Sequence, residues 1–294
     1  MASWTAPTPA PGSVPRGQST LLPLLEHERV GPGHFRGRQP DDDKLQIFGG
    51  QALAQALRAA TLTVDPAFVP HSMHAYFLVK GDARTPVDFH VEDVRDGRSY
   101  VTREVRSSQH GRDILRLVAS FHVVEQSFVE HEPPRRLPSH GGMSFVPTPD
   151  DVPLLQQWPG FRHPMEIRPV EAQRASVDGA VPTRQMWLRT DGDLGDDPAL
   201  NACAVAYASD LSLLTTALVP HDLTPGPSGE VSLASLDHSM WFHRPFRGDA
   251  WLLHETDSPI AHGGRALTRG AVYDMSGRLV VSTAQEGAVR APKR

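Results

Sequence analysis

The chain has 294 residues and a net charge of -5, with 39% hydrophobic and 21% charged residues, enough for two compact domains or one larger one. The mild acidity argues against a broad basic surface of the kind that holds nucleic acid, although a few placed Arg or Lys side chains can still grip an anionic ligand. A single cysteine, Cys203, excludes an intrachain disulfide framework and fits a reducing compartment, so a cytoplasmic location is expected.

Residues 1–20 carry Pro7, Pro9, Pro11 and Pro15 with little hydrophobicity and are expected to form a disordered tail. No stretch is expected to reach the apolar length of a membrane span. Structure is expected from Leu21. Gly49-Gly50 opens an Ala/Leu-rich run, Gln51 to Ala60, that predicts a helix. His71 to Leu78, Val87 to Val94, Tyr100 to Ser107 and Ile114 to Val124 are rich in β-branched and aromatic residues and predict strands, with turns at Asp96-Gly97 and His110-Gly111. This first unit, 21–125, is one helix followed by antiparallel strands.

Residues 126–169 are rich in Pro, Gly and His and predict a connector with a short helix near Leu154 to Trp158. The first pattern then returns over 170–290. Met186 to Arg189 predicts a strand, Ala199 to Leu218 a long helix, and Val231 to Phe246, Trp251 to Glu255, Ala266 to Tyr273 and Leu279 to Gln285 further strands. The letters repeat as well. His71-Ser72-Met73 recurs as His238-Ser239-Met240 and Gly81-Asp82 as Gly248-Asp249, with one separation of 167 residues (238 − 71 and 248 − 81). Thr102-Arg103 recurs as Thr268-Arg269, a slip of one residue. Two fused copies of one helix-plus-sheet unit follow, able to pair their sheets edge to edge around a shared site.

Within the second predicted helix, Asp210 shares a face with Cys203, Ala206, Leu213, Leu214 and Ala217, all apolar. A carboxylate there costs several kcal/mol unless partners satisfy it. A catalytic role and a structural Asp held by backbone amides account for it about equally. Ser235 and Gln285, taken alone, are ordinary strand residues. His71 and His238 stand at matching places in the two copies and are most economically strand features; His71 is kept as a secondary catalytic candidate. Cys203 lies among Ala202, Ala204 and Val205, as a buried inert thiol would. Zinc spacings, a G-x-S-x-G elbow, a phosphate loop and a dinucleotide fingerprint are all absent from the sequence, so no metal and no cofactor are expected.

Phe48-Gly49-Gly50-Gln51, His71 to Leu78, Arg95-Asp96-Gly97, Tyr207 to Leu211, Asp237 to Phe246 and Gln285-Glu286-Gly287 together resemble the acyl-CoA thioesterase II (TesB-type) family, over about Leu21 to Arg290. The resemblance implies an α+β double hotdog, two fused repeats each with an antiparallel sheet wrapped around one long helix. It implies hydrolysis of fatty acyl-CoA to free acid and CoA, and a homodimer or homotetramer. The family's Asp, Thr and Gln map to Asp210, Ser235 and Gln285; the Ser keeps the hydroxyl and drops a methyl. In those roles Asp210 is the general base for a water that Ser235 and Gln285 orient, with Gln285 a further donor to the oxyanion. Backbone amides of Gly49, Gly50 and Gln51, at a helix start, are the other oxyanion candidates. Arg103, Arg106, Arg244 and Arg269 are available for CoA phosphates. A non-catalytic acyl-CoA binder, a hotdog hydratase and a bare scaffold are the rivals; the first lacks a use for the trio, the second a hydratase motif, the third a reason for Asp210.

Overall fold

The computed structural model describes residues 16–40, 45–126, 128–132, 137–138, 163–170, 181–221, 223, 225 and 231–291. Helix α1 covers Gly49–Thr61 and helix α2 Pro198–Ser209. Strands β1 His27–Gly31, β2 His34–Gly37, β3 Phe68–Phe77, β4 Val87–Asp96, β5 Tyr100–Gln109 and β6 Arg112–Val123 belong to the first copy. Strands β7 Met165–Pro169, β8 Thr183–Thr190, β9 Ser232–Ser235, β10 Asp237–Phe242, β11 Leu252–His262, β12 Arg265–Tyr273 and β13 Leu279–Arg290 belong to the second.

All pair into one antiparallel sheet in the order β1-β2-β4-β5-β6-β3-β10-β13-β12-β11-β8-β7, with β9 added on β13. The two copies meet at β3 and β10, where Met73 lies opposite Met240, Ala75 opposite His238 and Ser72 opposite Trp241. Met73 and Met240 are also repeat mates, so the copies join about a local twofold at that pair. Alternation sets the faces: on β6, Leu115, Leu117, Ala119 and Phe121 are buried, while Arg116 and Val118 between them are exposed. The buried face wraps the two helices, which gives a double hotdog.

The helices lie antiparallel. Arg58, in the last turn of α1, pairs with Asp197 at the start of α2 at 3.7 Å. At the opposite end, Gly50 of α1 sits against the Tyr207 carbonyl of α2. Small residues permit this approach: α2 reads PALNACAVAYAS, and all of Asn201 to Ser209 is buried. Its start is capped by Asp197, whose side chain accepts from the Ala199 amide at 2.8 Å, with Pro198 next. Leu53 and Leu57 of α1 are fully buried, each worth about 2 kcal/mol of apolar burial.

Several sequence expectations are corrected. The expected helix Ala199 to Leu218 is broken: α2 ends at Ser209, Asp210 is its C-cap, and a 3-10 helix resumes over Leu214–His221. The segment Pro198–His221 does have the length and hydropathy of a membrane span, contrary to expectation, but it is mostly buried as the core of the second copy. Residues 16–20, assigned to the tail, are held in place: Arg16 donates to the Thr190 carbonyl at 2.7 Å and Ser19 Oγ to Asp191 at 2.7 Å. The connector contains β7, which edges the sheet through its pairing with β8. The expected Val231 to Phe246 strand is two, β9 and β10, separated at Leu236. The short helix near Leu154 to Trp158 lies outside the described residues.

Candidate active site

The break in the second helix is what presents Asp210. At the C-cap, with φ -83° and ψ -7°, its backbone leaves the helix. Its carboxylate reaches across to the start of α1, where the Gly50 amide donates to it. A helix start is rich in unpaired N–H groups and favours negative charge. Gly49 lies as close: a Cβ there would stand 2.5 Å from Asp210 Oδ2.

Ser235 and Gln285 come from β9 and β13. The register slips by one residue between the Ser235–Gly287 pair and the Ser239–Ala284 pair, a bulge at Leu236–Asp237. Asp237 pins it by accepting from the Glu286 amide at 2.7 Å. The outcome is one bridging amide. Gln285 Nε2 donates to Asp210 Oδ1 at 2.7 Å and to Ser235 Oγ at 3.0 Å. Both amide hydrogens are thereby committed, so Gln285 as arranged has none left for an oxyanion, contrary to that part of the sequence expectation. Its Oε1 is buried and has no hydrogen-bond partner among the described residues.

Asp210 has only 7% of its side chain exposed. Burial pushes its pKa from 3.8 up to about 7, against the pull of the Gln285 and Gly50 hydrogen bonds. A carboxylate so placed is about half ionised near neutrality, a strong enough base to take a proton from water and still largely free to do so.

The four other residues expected near the chemistry divide. Gly49 and Gly50 stand at the α1 start against the Asp210 carboxylate, and Gln51 follows them in the helix. The Gly50 N–H is engaged by Asp210, whereas the amides of Gly49 and Gln51 have no hydrogen-bond partner among the described residues. The Gln51 side chain turns away to Gln39 Oε1 at 2.7 Å. His71 is not brought here. A bulge between Pro70 and Ser72 of β3 turns it to the outer face of the sheet, where Nε2 meets Ser120 Oγ at 2.8 Å beside Tyr100 and His122. Its repeat mate His238, where β10 pairs with β3 without a slip, points inward. It is fully buried with Nδ1 3.9 Å from Asp210 Oδ1. The signal that could have found it was in the sequence: the strand alternation of Asp237 to Phe242 places His238 on the same inward row as Met240.

The four arginines all face carboxylates: Arg103 on Asp93 and Asp96, Arg106 on Asp113, Arg244 on Glu132 and Arg269 on Asp257. Next to Ser209 a small cavity of about 10 Å³, room for a single water, lies between α2 and the second-copy sheet, lined by Val205, Ala208 and Ser209 on the helix and Leu188, Leu252, His254 and Val272 on the strands. Its walls are almost wholly apolar.

Known proteins agree with this architecture. A family profile described as acyl-CoA thioesterase matches residues 159–288, and one described as the acyl-CoA thioesterase N-terminal domain matches 40–122. Acyl-CoA thioesterase 2 of Haemophilus influenzae is 35% identical over 284 residues, covering 92% of this chain and 97% of that protein. Human acyl-coenzyme A thioesterase 8 is 35% identical over 320 residues, covering 99% and 97%. The crystal structure of the acyl-CoA thioesterase II TesB2 from Mycobacterium marinum superposes with a TM-score of 0.76 at 38% identity, covering 93% of this chain and 98% of that one. With matches to both halves and over nearly its whole length, the chain belongs to the acyl-CoA thioesterase family, of the thioesterase II (TesB) type, and is a thioester hydrolase.

Proposed function

We propose that this thioesterase hydrolyses fatty acyl-CoA to free fatty acid and CoA by direct attack of one water held by Asp210, Ser235 and Gln285. The observation that carries this is the Gln285 amide, which bridges Asp210 and Ser235 while its own buried Oε1 stays unpartnered. Because Ser235 Oγ accepts from Gln285, its hydroxyl hydrogen is free to point at a water oxygen. That water donates one hydrogen to Asp210 and one to Gln285 Oε1. Three of its four tetrahedral positions are then filled, and the fourth, a lone pair, faces the thioester carbonyl.

Asp210 takes the proton as the C–O bond forms. The oxyanion settles on the Gly49 and Gln51 amides, a preorganised pair at a helix start. Collapse breaks the C–S bond, and the departing thiolate takes the proton back from Asp210. The same reading places the enzyme in fatty-acid metabolism in the cytoplasm, as a homodimer or homotetramer; the reduced buried Cys203 and the exposed Tyr76, Val118 and Trp241 on the outer sheet face support these last points.

Ser235→Ala is expected to lower kcat for palmitoyl-CoA about 10- to 100-fold with KM little changed, as a lost water-orienting hydrogen bond does. Ser235→Thr, which keeps the hydroxyl, retains most of the rate. Release of CoA followed with a thiol reagent measures both. Equal rates for Ser235→Ala and wild type would remove Ser235 from the mechanism.

A further inference from the structure

We infer that His238 is a positioning residue for Asp210: a neutral imidazole, its Nδ1–H directed at the carboxylate and its Nε2 held by the Ser209 hydroxyl. The inference rests on the assignment of Asp210 as the base. It starts from connectivity. His238 Nε2 lies 2.9 Å from Ser209 Oγ, and Ser209 is the last residue of α2, directly before Asp210. The ring therefore bridges β10 to the backbone that aims the carboxylate. Its other nitrogen, Nδ1, is buried without a hydrogen-bond partner among the described residues and lies 3.9 Å from Asp210 Oδ1. That is too long for a formed hydrogen bond, but a small turn of the ring or the carboxylate closes it.

The tautomer follows from the charges. A bare Nδ1 lone pair facing an ionised carboxylate would repel it, so the proton belongs on Nδ1 when Asp210 is ionised. Nε2 is then an acceptor and must receive the Ser209 hydroxyl hydrogen. Ser209 has another acceptor within reach, the Ala206 carbonyl at 3.0 Å, so its hydrogen is drawn from the helix to the ring. The titratable groups around His238 are few. Asp210 follows the α2 end, and His254 of β11 acts on it through space. β3 places Ala75 opposite it, and Met240 of its own strand lies beside Ser209. Burial and His254 hold His238 far down the scale, at about 3, so at working pH it is a dipole and not a cation. A cation there would form an ion pair and hold Asp210 as a much weaker base; a neutral N–H orients it and favours its ionised form only modestly.

The fold supplies this group once. The β3 bulge that sends His71 to the outer face removes the counterpart from the first copy, and only the second copy keeps its histidine inside, next to the one catalytic carboxylate.

The test uses paired variants in the intact enzyme. His238→Gln keeps an amide near the Nε2 position and loses the Nδ1 donor. His238→Asn keeps an N–H near the Nδ1 position. The expected result for His238→Gln is an acid limb of kcat/KM against pH raised by about 0.5 to 1 unit, because a donor to the charged form is gone. Activity at pH 6.5 should fall several-fold more than at pH 9, with KM unchanged. His238→Asn should return the limb toward wild type. A limb that does not move, or a loss equal at every pH, or an Asn variant no better than Gln at matched thermal stability, overturns the inference. Residual activity of Asp210→Asn is the control. If its limb persists, the base assignment falls and this inference with it. If its limb vanishes while that of His238→Gln stays at the wild-type value, only the role of His238 falls.

Discussion

Asp210→Asn is expected to lower kcat by about 10³-fold while leaving acyl-CoA affinity within about twofold, because it removes the general base and leaves every binding surface in place. The same substitution is expected to make the protein more stable above neutral pH. The folded-state pKa is raised, from 3.8 to about 7, so the folded state prefers the neutral acid. The unfolded chain ionises near pH 4 and the folded chain only near 7. Between those values the folded state binds more protons, and stability falls as pH rises through the window. One pKa unit corresponds to about 1.4 kcal/mol, so an ionised Asp210 above pH 7 carries a penalty of the order of 4 kcal/mol. An amide escapes that penalty but has a single acceptor oxygen for the Gly50 and Gln285 donors, so a net gain of about 2 kcal/mol is expected. Thermal unfolding at pH 8 should show a Tm several degrees above wild type, and the gap should close toward pH 4. Loss of activity with loss of stability at pH 8 would instead make Asp210 a structural residue.

Gly50→Ala is expected to damage both stability and activity severely. An added Cβ would overlap the Tyr207 carbonyl oxygen and the Phe48 ring, and the carbonyl is backbone that cannot swing aside. The helices must separate, at a cost of about 1 to 3 kcal/mol in overpacking. The Gly50–Asp210 hydrogen bond goes with them, so kcat should fall by about 10²-fold or more. Gly49→Ala separates the two effects. Its Cβ meets Asp210 Oδ2 at 2.5 Å and the Phe77 ring at 3.2 Å, so it displaces the carboxylate itself. It should lose activity comparably with a smaller change in Tm. Urea unfolding and CoA release on the two variants give the comparison; a Gly50→Ala protein with wild-type stability would contradict the close helix contact.

The repeat was legible because it is written in the letters: the 167-residue separation links Met73 to Met240, and these face each other at the sheet junction. The strands of the first copy were legible because β4 to β6 are rich in β-branched and aromatic residues, and β5 and most of β6 also alternate between core and solvent. The β1–β2 hairpin was missed because His27 to Gly37 carries only Val30 and Phe35 as apolar strand formers. The helix break at Asp210 was missed because Ala206 to Leu218 contains no Gly or Pro to mark a boundary. Tertiary contacts decide it: the Gly50 amide and Gln285 draw the carboxylate out of register. Asp210, Ser235 and Gln285 were recognisable together only through resemblance, since they lie on three elements 25 and 50 residues apart (235 − 210 and 285 − 235). His238 was passed over because its repeat mate looked equivalent, and one bulge makes the two opposite in direction.

The central claim is that Asp210 activates a water and does not itself attack the thioester. A single turnover in water enriched in ¹⁸O, with enzyme in excess over acyl-CoA, tests it directly. The water mechanism requires one ¹⁸O in every molecule of fatty acid formed in that first turnover, and none in the Asp210 side chain. An unlabelled first-turnover acid, with ¹⁸O recovered in the peptide bearing Asp210, would mean an acyl-enzyme anhydride and would contradict it.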